Sequence, residues 1–141
     1  SELPTNIYES LSIKPTEILK SRDYVLVYEN EDQIKNIKID KELFDKKNID
    51  PGGVVITAKG NNSDFVSRYF VPQCSFFEDP VTGSTHCSLV PYWSKKLGKQ
   101  KLTSMQLSER GGEMFCIDKG DRVLINGKAQ TYSVGKVFLK N

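Results

Sequence analysis

The segment from Phe76 to Cys87, Phe-Phe-Glu-Asp-Pro-Val-Thr-Gly-Ser-Thr-His-Cys, brings together a carboxylate, a tight turn and a run of small hydroxylated residues. The chemistry on offer is the binding of a small anion with a proton acceptor beside it. Pro80 fixes its own backbone and biases Asp79 toward an extended conformation, while Gly83 permits the close approach or positive φ that a sharp strand-to-helix turn needs. A helix beginning here would leave the N–H groups of Gly83, Ser84 and Thr85 without intrahelical acceptors, and its dipole would add partial positive charge. A substrate carboxylate or phosphate would be stabilised there, with Asp79 as proton acceptor or hydrogen-bond partner. The same residues also suit plain structure: Thr82, Ser84 and Thr85 are ordinary N-cap residues, and Asp-Pro commonly opens a turn.

His86, the only histidine, and Cys87 follow directly. One histidine cannot form a metal site alone, and in a first helical turn it serves packing or hydrogen bonding more often than catalysis. The cysteines, Cys74, Cys87 and Cys116, are odd in number and lack C-x-x-C spacing, so no disulfide framework or zinc site is indicated. Reduced thiols in a cytoplasm are the expectation. A thiolate at Cys87 could be stabilised by the helix start, but that helix is expected to be buried, which favours an inert, structural thiol.

The elements that position this segment read as follows. Pro15 to Ser21 suggests a short helix, and Asp23 to Glu29 a strand. Glu31 to Lys47 carries Ile34, Ile37, Leu43 and Phe44 among charges, the pattern of amphipathic turns interrupted around Ile37-Lys38-Ile39. After Pro51-Gly52-Gly53 comes Val54 to Ala58, an apolar, β-branched run that reads as a buried strand. Asp64 to Val71 is a further strand, with Asp64, Val66 and Arg68 on one face and Phe65, Ser67 and Tyr69 on the other. Arg68 is a carboxylate clamp or the structural partner of Asp64, Glu78 or another acid, and the structural role is favoured.

A helix over Ser84 to Leu97 has Cys87, Leu89, Val90, Tyr92 and Trp93 spread around its circumference, which predicts burial on all sides. Pro91 should bend it, and Gly98 suits its C′ position. Lys101 to Ser108, Glu113 to Ile117, Arg122 to Ile125 and Ala129 to Leu139 read as strands, with Asn126-Gly127 a hairpin signal between the last two. Many short strands and one buried helix predict an α+β fold, a sheet rolled around the central helix at about residues 84–97.

The chain of 141 residues suits one domain, 1–141, with a core of useful size. No apolar run approaches the roughly 20 residues that cross a bilayer, and the N-terminus does not read as a signal peptide, so no membrane association is expected. A formal charge of +2 with both signs interspersed disfavours nucleic acid as a partner. The chain opens on Ser1 rather than methionine, leaving processing, tag removal or a fragment open.

Four landmarks in order, Asp64 to Phe70, Glu78 to His86, Pro91-Tyr92-Trp93 and Gln106 to Gly112, resemble those of the PhzF (phenazine-biosynthesis-like) family. The resemblance covers the C-terminal half of a typical two-domain member and implies a diaminopimelate-epimerase-like barrel around the central helix. It implies a cofactor-independent, metal-free isomerase moving a proton on a small carboxylate-bearing substrate. Carried over by motif, Asp79 helps handle the substrate proton, Ser84 hydrogen-bonds near it, and Gly83 and Ser84 supply backbone donors. The family's principal glutamate, a catalytic histidine and an opposing Gly-Asn-Pro turn belong to the N-terminal domain and have no equivalents here, so this chain is expected to hold half an active site. In racemases of the wider superfamily a second thiol stands where this chain has Asp79, which argues against two-thiol chemistry. Arg110 could reach a substrate anion or hold neighbouring loops together.

Two readings follow. In one, the chain is the C-terminal domain of an isomerase, completed by an N-terminal domain of the same protein or, in a homodimer, by a second copy. In the other, it is a non-catalytic metabolite-binding or protein-interaction module that keeps the fold.

Overall fold

The computed structural model describes residues 1–49 and 51–139. After Pro4, α1 (Thr5–Ser10) turns Ile7 and Ser10 into the interior. Next, β1 (Glu17–Lys20) and β2 (Tyr24–Val27) form an antiparallel hairpin in which Glu17 lies opposite Val27. This replaces the helix expected over Pro15 to Ser21. The N–H of Thr16 donates to the Val27 carbonyl at 2.8 Å and its hydroxyl donates to the same atom at 3.0 Å, so the chain joins the sheet as soon as Pro15 is passed. Glu-Ile-Leu-Lys has too little intrinsic preference to resist that pairing.

Two short helices follow, each capped by the acidic or amide side chain before it. In α2 (Glu31–Asn36) the Asn30 side chain accepts from the Gln33 N–H at 3.0 Å, and in α3 (Lys41–Phe44) Asp40 accepts from Leu43 at 3.1 Å. Between them Ile39 forms an antiparallel bridge with Leu11, the interruption that the Ile-Lys-Ile pattern predicted.

The sheet centre is β3 (Val54–Lys59) and β4 (Phe65–Phe70), and its side chains alternate between two cores. Leu26, Val54, Ile56, Ala58, Val66 and Phe70 pack against Ile7, Ile34, Ile37 and Phe44 on the outer face. Val25, Val27, Val55, Phe65 and Tyr69 point to the other face. Both faces are covered, which is why β3 is apolar at every position up to Thr57 and again at Ala58.

The rest of the chain builds the inner layer: β5 (Glu78–Asp79), α4 (His86–Leu97), β6 (Lys101–Gln106), β7 (Gly112–Asp118) and β8 (Val123–Asn126). Among the described residues the eight strands form one mixed sheet in the order β1-β2-β3-β4-β6-β7-β8, with β5 paired to β4. The first half of β4 runs parallel to β6, while its second half pairs antiparallel with β5, setting Tyr69 opposite Asp79 and Phe70 opposite Glu78. This division at β4 delivers the Asp79 turn to the end of the sheet, beside the start of α4.

Leu89, Val90 and Trp93 anchor α4 to the inner core; Phe65 stacks on Trp93 with ring centroids 5.9 Å apart, and the indole N–H donates to Thr57 Oγ1 at 3.0 Å. The helix continues through Pro91 to Gly98, whose N–H returns to the Ser94 carbonyl. It is not buried all round, however. Cys87, Pro91, Lys95 and Lys96 are exposed, because the sheet does not close into a barrel. The hairpin expected at Asn126-Gly127 and the strand expected over Ala129 to Leu139 are also absent from the structure. Tyr132, Val134, Val137, Phe138 and Leu139 are almost fully exposed, and β strand propensity without a paired edge does not make a strand.

Candidate active site at the Asp79 turn

Asp79 leaves β5 and enters a turn fastened from three directions. The Thr82 hydroxyl donates to Asp79 Oδ2, and the Thr82 N–H donates to Gln106 Oε1 at 2.7 Å. Gln106 Nε2 donates to the Asp79 carbonyl at 2.7 Å and to Thr82 Oγ1 at 3.2 Å. Ser108 Oγ donates to the Pro80 carbonyl at 2.6 Å. Gln106 is fully buried, so these bonds form away from competing water and define the turn firmly. Sequence reasoning did not single out Gln106. A signal was available: β6 buries Leu102, Ser104 and Gln106 in strict alternation, and polar side chains at inward positions need partners.

The Gly111-Gly112 pair serves the same turn from β7. A Cβ on Gly112 would lie 2.4 Å from Val81 Cγ2, so only glycine lets β7 pass beneath the turn. Arg110 beside it is exposed and lines a cavity of about 450 Å³ with Glu78, Pro80, Ser108 and Glu109. Glu78 faces the outer layer, where Arg68 grips it bidentately, Nε to Oε1 at 2.7 Å and Nη2 to Oε2 at 2.8 Å, and also donates to the Ile34 carbonyl at 3.1 Å. Arg68 is therefore a structural strut.

Past Thr82 the chain tightens into the helix. His86, Cys87 and Ser88 donate to the carbonyls of Gly83, Ser84 and Thr85, three residues back, at 3.0, 3.2 and 3.0 Å. This tight entry moves the unpaired donors upstream. Among the described residues, no group accepts from the N–H of Gly83, Ser84 or Thr85. Gly83 and Ser84 are exposed; Thr85 is buried, its hydroxyl donating to the Thr82 carbonyl at 3.0 Å. Asp79, Gly83, Ser84 and Thr85 thus all belong to one turn at the rim of the sheet.

His86 points the other way. It is completely buried, with Nδ1 2.9 Å from the Thr82 carbonyl and Nε2 2.8 Å from Ser104 Oγ. A neutral ring protonated on Nδ1 satisfies both contacts, donating to Thr82 and accepting from Ser104. Burial pushes its pKa down to about 4, against the opposing pull of the Thr82 carbonyl. The imidazole is a pin between the turn and β6. Cys87, expected in a buried environment, is exposed, whereas Cys116 is buried and its thiol is pushed up to about 11 by desolvation. Among the described residues, no group of three His, Cys, Asp or Glu side chains is placed to hold a metal ion, and no helix is long and apolar enough to cross a membrane.

With this geometry in hand, comparison with known proteins is decisive. The profile of the phenazine biosynthesis-like protein family, PhzC-PhzF, matches residues 7–135. The chain belongs to the PhzF family. An uncharacterized isomerase of Pseudomonas aeruginosa is 42% identical over 132 residues, which are 93% of this chain and 50% of that protein. A crystal structure of a putative phenazine biosynthesis PhzC/PhzF protein from Clostridium difficile matches with a TM-score of 0.83 at 40% identity, covering 99% of this chain and 53% of the other. A PhzF-family crystal structure from Enterococcus faecalis gives 0.84 at 36% identity over the same shares. The chain therefore spans about half the length of the PhzF relatives it matches.

Proposed function

We propose that this chain forms one half of the active site of a PhzF-like isomerase, in which Asp79 moves a proton on a small carboxylate-bearing substrate anchored at the Gly83–Thr85 turn. The observation that carries the proposal is the juxtaposition of a carboxylate, held by Thr82, with the unpaired N–H groups of Gly83 and Ser84. An anion seated on those donors would lie beside Asp79, and the Ser84 hydroxyl would orient it. A proton shifted between positions of one substrate changes no oxidation state, so the reaction calls for no redox cofactor. Proton transfer by a positioned carboxylate accounts for roughly 10²–10⁴-fold of rate.

The opposing acid or base comes, in this proposal, from the remainder of a longer protein or from a second copy. The exposed face of α4 and the open sheet support it, since a covering partner would exclude water from the Asp79 turn and complete a barrel of the diaminopimelate-epimerase type. A direct test incubates full-length protein with a panel of small carboxylic acids in D₂O and follows deuterium uptake at carbon by mass spectrometry. Asp79→Asn should lower exchange at least roughly 100-fold while leaving the circular dichroism spectrum unchanged. Undiminished exchange in Asp79→Asn removes Asp79 from the mechanism.

A further inference from the structure

Residues 127–139 run on from β8 without joining any element. Lys128 Nζ meets Glu113 Oε2 at 2.9 Å, which ties the root of this tail to β7. Beyond that root, no residue from 129 to 139 makes a hydrogen bond or ion pair among the described residues. The composition is not that of a solvated tail. Gly127 to Leu139 includes no acidic residue and only two lysines, while Tyr132, Val134, Val137, Phe138 and Leu139 are each at least 85% exposed. Segments that stay in water are polar and charged, whereas an apolar, β-prone segment is a template for pairing. Tyr132 and Val134 alternate, as do Val137 and Leu139, and Gly135 between the two pairs permits the bulge that brings both to one face.

The same chain holds a receiving surface of matching kind. The sheet ends at β1 and β8, and the two edges differ. β1 is already engaged: the Ser1 ammonium donates to the Ile18 carbonyl at 3.1 Å, the Tyr92 hydroxyl of α4 donates to Glu17 Oε2 at 2.8 Å, and Ser88 Oγ lies 2.9 Å from Ser21 Oγ. Among the described residues β8 pairs with β7 alone, so its other edge is open along Val123–Asn126. Leu124 is 45% exposed there, and Val123 and Ile125 are only partly buried against the inner core. The tail could fill this edge of its own chain only by reversing at Asn126-Gly127, and it does not reverse.

From this we infer that the chain forms a closed homodimer by exchanging tails, residues 129–139 of each copy adding a strand to the free edge of β8 in the other. β8 and the tail of one copy run as a single long strand antiparallel to the same strand of its mate, so each tail lies along the other's β8. A second copy is the partner that fits, because donor segment and acceptor edge lie on one chain and a two-fold axis satisfies both contacts at once. The area suffices. Tyr132 and Phe138 offer roughly 150–250 Å² each, and with Val134, Val137 and Leu139 one tail approaches the roughly 800 Å² that a partner contributes to a standard interface. Cys87, which lines a cavity with Leu19 and Ser21 on the β1 side of α4, stays open to solvent in this dimer. The assembly does not depend on the chemistry proposed for Asp79, and its failure leaves that chemistry untouched.

The test is the mass of the 141-residue chain in solution, measured by size-exclusion chromatography with light scattering. At about 100 µM the wild type should run with twice the mass of one chain. Val134→Asp combined with Phe138→Asp touches no single-chain core, so it should weaken dimerisation at least roughly 100-fold with an unchanged circular dichroism spectrum. Leu124→Lys, on the receiving strand, should weaken it too. Amide hydrogen exchange gives a readout that needs no variant: the amides of residues 129–139 should be protected in the dimer and lose protection on dilution to monomer. A monomeric wild type with unprotected tail amides overturns the exchange. A dimer that the double variant leaves intact, assemblies larger than dimers, or tail amides protected in the monomer would each overturn it as well.

Discussion

Mild acid should weaken the fold through a single residue. His86 is the only histidine, is completely buried, and its pKa falls from 6.5 to about 4 because burial disfavours the charged ring. In the unfolded chain the imidazole takes up a proton as pH drops through about 6.5, whereas the folded protein resists protonation until about 4. Between those values the unfolded state binds more protons, so stability falls as pH falls; above them the contribution is fully present. At about 1.4 kcal/mol per pKa unit, the gap corresponds to roughly 3 kcal/mol, a sizeable part of the 5–15 kcal/mol that domains typically have. The carboxylates of Glu31, Asp45, Asp64 and Asp118, each held below its ordinary range, begin to lose their contributions only below about pH 5 and leave the upper part of the window to His86. Urea denaturation at about pH 7, 6, 5 and 4.5 measures the slope, with His86→Gln as the control that removes the titrating ring while keeping a donor and an acceptor. The wild type should lose stability from about pH 7 to 5 while the variant stays flat there, both falling together only below about pH 5. Parallel loss in both would refute the assignment of His86 as a buried neutral pin.

Two further outcomes follow from the turn and its surroundings. Gln106→Ala removes the bonds to the Thr82 N–H, the Asp79 carbonyl and Thr82 Oγ1, so it should cost about 2–3 kcal/mol in urea denaturation and depress D₂O exchange by full-length protein more than the stability loss explains. Unchanged exchange would mean that the Asp79 turn holds its shape without Gln106. Native protein treated with iodoacetamide should be alkylated at Cys87 while Cys116 stays unmodified until urea is added, as peptide mass mapping would show. Labelling of Cys116 in the native state would contradict its burial.

Much of the strand framework was legible because both its faces are buried. Val54 to Ala58 and Asp64 to Val71 have no solvent-facing side to blur the pattern, and the observed β3 and β4 fall where the alternation put them. Arg68 on the face away from Tyr69 was legible for the same reason, and its engagement by Glu78 follows from the pairing of β4 with β5. Short pieces were harder. The six residues of α1 and the four of β1 carry little periodicity, and the bond from Thr16 to Val27 that commits β1 to the sheet joins positions that no local pattern relates. At the candidate site, the turn that holds Asp79, Gly83 and Ser84 was legible by type and spacing as a turn, whereas Gln106 acts through contacts across many residues of chain.

The misread burial of α4 has a physical lesson tied to function. Apolar residues around a helix call for a complete cover, yet the sheet ends at β1 and β8 and leaves Cys87, Pro91 and Lys95 in solvent. Cys87, Pro91 and Lys95 are exposed on successive turns of α4, and Gly83 and Ser84 are exposed just before its first turn. The residues beneath it are spent on rigidity instead: Trp93 bonds Thr57, His86 bonds Thr82 and Ser104, and Gln106 bonds the Asp79 backbone. Donors left unpaired on a loose turn would simply turn to water or collapse onto neighbouring carbonyls. Donors left unpaired on a turn fastened this tightly stay aimed, and under the proposed function such a pair of N–H groups would stabilise a bound anion without reorganising to do so.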